Sequence, residues 1–363
     1  MIKECGLNYY SFSKFRNAMF GFAALWIVLF HGAQLDTVHF EGGSKFLYDI
    51  LICGNIGVDI FVFLSGVGLY FAYSKKPPLL KFYGKRILRV YLPYVMLVAP
   101  YIVDIYLKSK IKTDGLIHAL LTLNFWTGTA PSVDFWYISV ILVFYLLYPF
   151  IHKFIYREPL GKHAEQKSRF SQSTHECFRM LFLVALSIAF ALFLFYCFPD
   201  FYNTVDRAVS RLTIFIFGCY IGGRVKSKKR FSALSLLLSV IIILGMLPVY
   251  RYRDVYDIIY RYYGSFVGVA LTYLLSQLFM LLSYVSLDKV FAFFGAFSLE
   301  IYLLTILARK IFYETSLCQG ECFGSYCLFM LPAIILAFFF SKAFNALFFP
   351  SKLDKTSLQK TNR

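Results

Sequence analysis

Chemistry in this 363-residue chain has to be sought first in the few ionisable side chains that stand inside apolar runs, because such groups are costly in lipid and are retained for a reason. His31 follows Phe30 in a run that is apolar from Ala18. A neutral imidazole there can take a proton from a hydroxyl near neutral pH, or it can simply bond a neighbouring helix. Asp59 stands in the segment Gly54-Asn55-Ile56-Gly57-Val58-Asp59-Ile60-Phe61-Val62-Phe63-Leu64-Ser65-Gly66, where the glycines permit close helix approach or a local break. It can pair with His31 or with a basic residue, or serve as a cap. Paired with His31, it would orient the imidazole as an acidic partner does in a nucleophile–base triad. Ser65 beside Gly66 and Gly68 suits packing or ligand contact. Asp104, Arg211 and Glu300 are the other ionisable groups in or at the ends of apolar runs, and His152 lies near the end of another.

Arg86 and Arg89 are three residues apart and share one helix face, with Lys85 beside them. Basic residues at the end of an apolar run fit membrane topology. A paired guanidinium face also suits phosphate recognition, as a phosphorylated donor such as coenzyme A would require.

The elements that hold these groups are membrane helices. The chain is 59% hydrophobic, 20% aromatic and only 16% charged, with mean hydropathy +0.64; a soluble domain carries about a quarter charged residues. Ten apolar segments are centred near Leu25, Phe61, Leu97, Leu142, Phe190, Phe215, Ile242, Leu271, Ile301 and Ile335, each of about 17–25 residues and long enough to cross a bilayer core. The fold expected is therefore all-α: a polytopic bundle of about ten transmembrane helices in the cell membrane, a bacterial inner or plasma membrane. The stretch from Thr113 to Trp126 is shorter and reads as an interfacial or re-entrant helix. The first apolar run follows Lys3, Lys14 and Arg16 without a small-residue cleavage site and is expected to be the first span.

Charge sets the orientation. Lys75, Lys76, Lys81 and Lys85 to Arg89 follow span two, Lys153 to Arg169 follow span four, and Arg224 to Arg230 follow span six. With the basic N-terminus and the tail Lys352 to Arg363, they share one side, so both termini are expected in the cytoplasm. Lys108, Lys110 and Lys112 are the exception. The net charge of +17 is explained by this bias, and nucleic acid is not an expected partner. One membrane domain is expected over residues 1–350, with a cytoplasmic linker loop at 156–177 and a basic cytoplasmic tail at 351–363. Cys318, Cys322 and Cys327 fall in one expected outer loop, where a pair could form a disulfide in an oxidising compartment. No metal-ligand spacing is visible.

Five ordered blocks give the chain a family resemblance. Arg16-Asn17-Ala18-Met19-Phe20-Gly21 through Leu29-Phe30-His31 resembles the first span of the acyltransferase-3 family of membrane O-acyltransferases, and Gly57 through Gly66 resembles its most recognisable signature. The block Phe82-Tyr83-Gly84-Lys85-Arg86-Ile87-Leu88-Arg89 resembles its basic entry to span three. Phe135-Trp136-Tyr137-Ile138-Ser139 through Pro149 resembles its fourth span, and Ser298-Leu299-Glu300-Ile301-Tyr302-Leu303 a late one. The resemblance implies cytosolic acyl-CoA as co-substrate, with no bound cofactor. It implies transfer of an acyl group, often acetyl, to a hydroxyl of an extracytoplasmic glycan or glycolipid. On it, His31 is the base; Asp59 as its acidic partner is read from the residues themselves. Arg16, Arg86 and Arg89 hold the donor. Ser65, Trp136, Tyr137 and Glu300 are candidate substrate contacts. The chain departs from the pattern at Phe20, Ile141 and Thr305, where the family often has Arg, Glu and His. A transporter or exporter of glycans or lipid-linked intermediates is the alternative, since it too would combine such helices with a few buried charges.

Overall fold

Backbone in an apolar medium must satisfy its own hydrogen bonds, which long apolar runs achieve as helices. The structure, a computed structural model, describes residues 8–34, 43–129, 135–157, 169–245, 249, 257–314 and 323–350. Among these its regular elements are helices, with one isolated bridge between Asn8 and Arg230. In order they are α1 Tyr10–Lys14, α2 Arg16–Ala33, α3 Gly43–Ile52, α4 Ile56–Tyr73, α5 Leu79–Arg86, α6 Leu92–Leu107, α7 Thr113–Leu120, α8 Asn124–Thr127, α9 Trp136–Ile155, α10 Arg169–Cys197, α11 Pro199–Lys226, α12 Ala233–Leu244, α13 Asp257–Leu282, α14 Leu287–Gly295, α15 Ser298–Glu314 and α16 Phe323–Phe348. A π-helical turn, Ile87–Tyr91, joins α5 to α6 and carries Arg89.

Seven helical segments among the described residues are long and apolar enough to cross a membrane, and an eighth is added if α14 and α15, bent by 68° at their junction, form one broken span. All ten centres expected from sequence lie in helices, but two of these helices fall short of a span. α12 has 12 residues. α2 has 18, with Arg16, Asn17 and His31 at its ends. The segment 113–126 is broken into the short helices α7 and α8.

Burial sorts the helices into layers. The span windows of α4 and α11 are each 78% buried, whereas those of α10 and α16 are 22% and 17% buried. The outward side chains of these two are apolar, among them Phe182, Leu186, Phe190, Leu331 and Ile335, as lipid contact requires. α2 packs between α4 and α14. At Gly21 and Gly295 a Cβ would collide with the backbone oxygens of Phe291 and Asn17, so only glycine lets α2 and α14 come this close.

The polar stretch 156–177, expected as a loop, becomes helix at Arg169. Ser173 and Glu176, three apart on one face of α10, both meet Arg224 of α11, which donates to the Ser173 hydroxyl and lies 3.6 Å from the Glu176 carboxylate. This partner gives polar residues a reason to be helical. Cys327, expected in a loop, lies in α16. Cys318, Cys322, residues 158–168 and the basic tail lie outside the described residues.

Candidate functional site

α2 and α4 run antiparallel, which brings Arg16 at the start of one beside Gly68 near the end of the other. A Cβ at Gly68 would stand 2.6 Å from an Arg16 terminal nitrogen, so the glycine makes the room in which this guanidinium lies. Arg16 stacks on Phe20 at 4.8 Å, and Arg86 stacks on Phe82 at 5.3 Å. Arg89, held on the π-helical turn, stacks on Phe349 at 5.7 Å.

The three guanidiniums line one cavity of about 700 Å³. Glu300 is the one carboxylate in its lining, beside the Ser341 hydroxyl and in the field of Arg89. Among the described residues, Arg16, Arg86 and Arg89 form neither an ion pair nor a side-chain hydrogen bond, and the Nε atoms of Arg16 and Arg86 are fully buried. Two further groups in the lining, not singled out from sequence as site residues, are Tyr145 and Asn345. Tyr145 lies close to both Arg16 and Arg86. Guanidiniums in this number, facing a partly apolar space with a single carboxylate among the lining residues, have the chemistry to hold a multiply charged anion.

Of the candidate residues, Arg16, Ser65, Arg86, Arg89, Tyr137 and Glu300 meet in this cavity. The Tyr137 phenol lies beside the Ser65 hydroxyl. Ile141 and Phe20, two of the departures from the family pattern, are also in the lining. The third, Thr305, is buried and donates back to the Ile301 carbonyl at 2.7 Å.

His31, Asp59 and Trp136 are not part of the lining. Asp59 does not pair with His31. It is bound by Arg211, with Nε 3.1 Å from Oδ1 and Nη2 donating to Oδ2 at 3.2 Å, and it accepts from the Ser265 hydroxyl at 3.3 Å. A buried carboxylate needs a cation, and the one within reach is on α11. Trp136 offers its ring to the same Arg211 at 5.0 Å and to Arg207 at 5.8 Å, so it faces this network and not the cavity. Next to it Arg261 and Asp206 pair at 2.8 Å. Asp104 pairs with Lys108 at the surface.

His31 has a basic partner. Arg309 of α15 donates from Nη1 to its Nδ1 at 2.7 Å, and the Gln34 amide oxygen Oε1 lies 3.1 Å from the same nitrogen. Because the guanidinium only donates, its bond to Nδ1 uses the ring's lone pair there, which puts the proton of a neutral ring on Nε2 and leaves the Gln34 oxygen no bond from Nδ1. Arg309 was not singled out from sequence, since it lies 278 residues from its partner. The cavity reaches α2 as far as Ile27, one helical turn or about 6 Å short of His31.

The family model described as an acyltransferase domain matches residues 17–344. No curated protein and no solved structure matches the chain. The match begins one residue after Arg16 and runs from α2 through most of α16, taking in Arg86, Arg89, His31 and most of the cavity lining, so the chain belongs to the acyltransferase-3 family of membrane acyltransferases.

Proposed function

We propose that the protein moves an acyl group, acetyl in the first instance, from cytosolic acyl-CoA to a hydroxyl of an extracytoplasmic glycan or glycolipid. The observation that supports this reading is the cavity: Arg16, Arg86 and Arg89 gather at one end, and its other end stops one turn from His31. The phosphates of the donor bind the guanidiniums, and the pantetheine arm runs up the cavity between α2, α4, α9 and α15. Arg16 and His31 are 15 positions apart on one helix, or about 22 Å, a span for which a long flexible arm is suited.

In the reaction the acceptor oxygen attacks the thioester carbonyl. The new C–O bond forms, the C–S bond breaks, and the thiolate leaves with the electron pair. His31 removes the hydroxyl proton and passes it to the thiolate, giving the free thiol. For Nδ1 to act as base, Arg309 must release it as the acceptor arrives. Asp59 takes no part in these steps; it braces α4 against α11 and α13. In this reading α2 and α12 also cross the membrane, giving ten spans with both termini in the cytoplasm, so that the basic end of the cavity faces the donor.

The test is transfer of label from radiolabelled acetyl-CoA to surface glycan in membranes carrying wild-type protein or His31→Ala. Label that depends on the protein and disappears with His31→Ala at equal protein level is the expected result. Absence of label with acetyl-, succinyl- and longer acyl-CoA would overturn the reading and favour a transporter.

A further inference from the structure

Four aromatic rings from four helices form a continuous row along the cavity wall, a collar between the guanidiniums and the end lined by Ile27 and Val58. Phe20 of α2 stacks on Phe61 of α4 at 5.2 Å and 15°. Phe61 meets Tyr137 of α9 at 6.0 Å, and Tyr137 meets Tyr302 of α15 edge-on at 5.5 Å. All four line the cavity. On the side toward Arg16 the lining is polar and charged, with Ser65, Tyr145, Glu300 and Asn345. On the other side, along α2 and α4, the lining consists of Ile27 and Val58, both buried. Phe20 and Ile27 are seven positions apart and Phe61 and Val58 three, so the chamber beyond the rings is about 5–10 Å tall. Its walls on those helices carry no hydrogen-bonding side chain and no charge.

We propose that this aromatic collar and the chamber behind it select the acyl group: a short, uncharged acyl chain passes the rings, while a long chain or one ending in a carboxylate is refused. This rests on the acyl-CoA reading above and adds the specificity of the same site. The collar holds the arm of the donor between ring faces and edges, which favour flat or slender apolar groups. Chain length is limited because the lining of the cavity on α2 and α4 ends at Ile27 and Val58. A dicarboxylic acyl group would have to bury an ion against apolar walls without a partner, which is prohibitive.

The experiment compares transfer of labelled acetyl, butyryl, octanoyl and succinyl groups from their CoA thioesters in membranes carrying wild-type protein, Phe61→Ala or Val58→Phe. Ratios between donors are read, because they do not depend on how much protein folds. Wild type is expected to prefer acetyl over octanoyl and succinyl by at least about tenfold. Phe61→Ala should raise the octanoyl-to-acetyl ratio about tenfold, and Val58→Phe should lower the butyryl-to-acetyl ratio by a similar factor. Wild-type protein that transfers octanoyl or succinyl as readily as acetyl would overturn the collar's role. So would unchanged ratios in either variant. If either variant transfers nothing, the wild-type preference decides. Wild-type protein that transfers none of the four would overturn the acyl-transfer reading itself, and the collar's role with it.

Discussion

Arg16 shows what a bundle must provide to hold a charge away from water. Its guanidinium rests on Phe20 and fills the space left by Gly68, and in the proposed reaction its counter-charge is the donor. Gly68→Ala places a methyl 2.6 Å from an Arg16 nitrogen and must displace it. The expected outcome is a KM for acyl-CoA raised about tenfold, equivalent to about 1.4 kcal/mol, with a smaller change in kcat; a donor titration in membranes measures it. Asp59 gives a prediction of a different kind. Asp59→Asn leaves Arg211 buried with its charge unpaired, which should cost about 3–5 kcal/mol of stability. Replacing both partners, Asp59→Leu with Arg211→Leu, should recover much of that loss. Thermal unfolding in detergent reads both. An activity loss for Asp59→Asn at unchanged melting temperature would instead place Asp59 in the chemistry. At His31, Arg309→Met removes the donor that fixes the proton on Nε2. Nitrogen NMR of histidine-labelled protein, with His31→Asn to assign the signal, should then show the Nδ1–H form gaining population.

At the scale of elements, the site depends on how closely α2 approaches its neighbours. The α2–α14 contact is made backbone to backbone at Gly21 and Gly295, and Gly295 also lines the cavity. Gly295→Val would force the helices apart and open the wall of the cavity. The expected outcome is loss of monodisperse protein in detergent, seen by size-exclusion chromatography. The π-helical turn Ile87–Tyr91 acts in the other direction. It widens the backbone where α5 passes into α6, and Arg86 and Arg89 both reach the cavity across it; such turns recur at functional sites. The bend of 68° between α14 and α15 similarly places Ala296, Ser298 and Glu300 in the cavity wall instead of in lipid.

For the whole molecule, the proposed topology makes a prediction about sides. In a background with the eight native cysteines replaced, Lys75→Cys and Lys228→Cys should react with an impermeant maleimide from the cytoplasmic side only. Lys110→Cys should react from the opposite side only. Lys75 and Lys228 follow α4 and α11, and Lys110 follows α6. Labelling of Lys75→Cys and Lys228→Cys on different sides would exclude the proposed arrangement. The bundle is layered, with α4 and α11 inside and α10 and α16 outside; of the two inner helices only α4 lines the cavity. The cavity draws residues from α4 and α9, and from α16 only Phe344 and Asn345 near its end.

The sequence by itself determined the positions of the helices, because hydropathy is a local property that lipid reads segment by segment: all ten expected centres are helical. It also pointed to the three guanidiniums of the cavity, since Arg16, Arg86 and Arg89 are conspicuous where apolar runs begin. It could not decide how many helices are long enough to span, as the shortness of α12 and the break between α14 and α15 depend on where turns fall. Nor could it decide the partners of buried charges. Asp59 and Arg211 are 152 residues apart, and His31 and Arg309 are 278 apart. A buried ion takes whichever counter-ion packing brings within about 3 Å, and only the tertiary structure decided this for Asp59, by packing α4 on α11, as it decided that Arg309 of α15 stands against the neutral imidazole of His31.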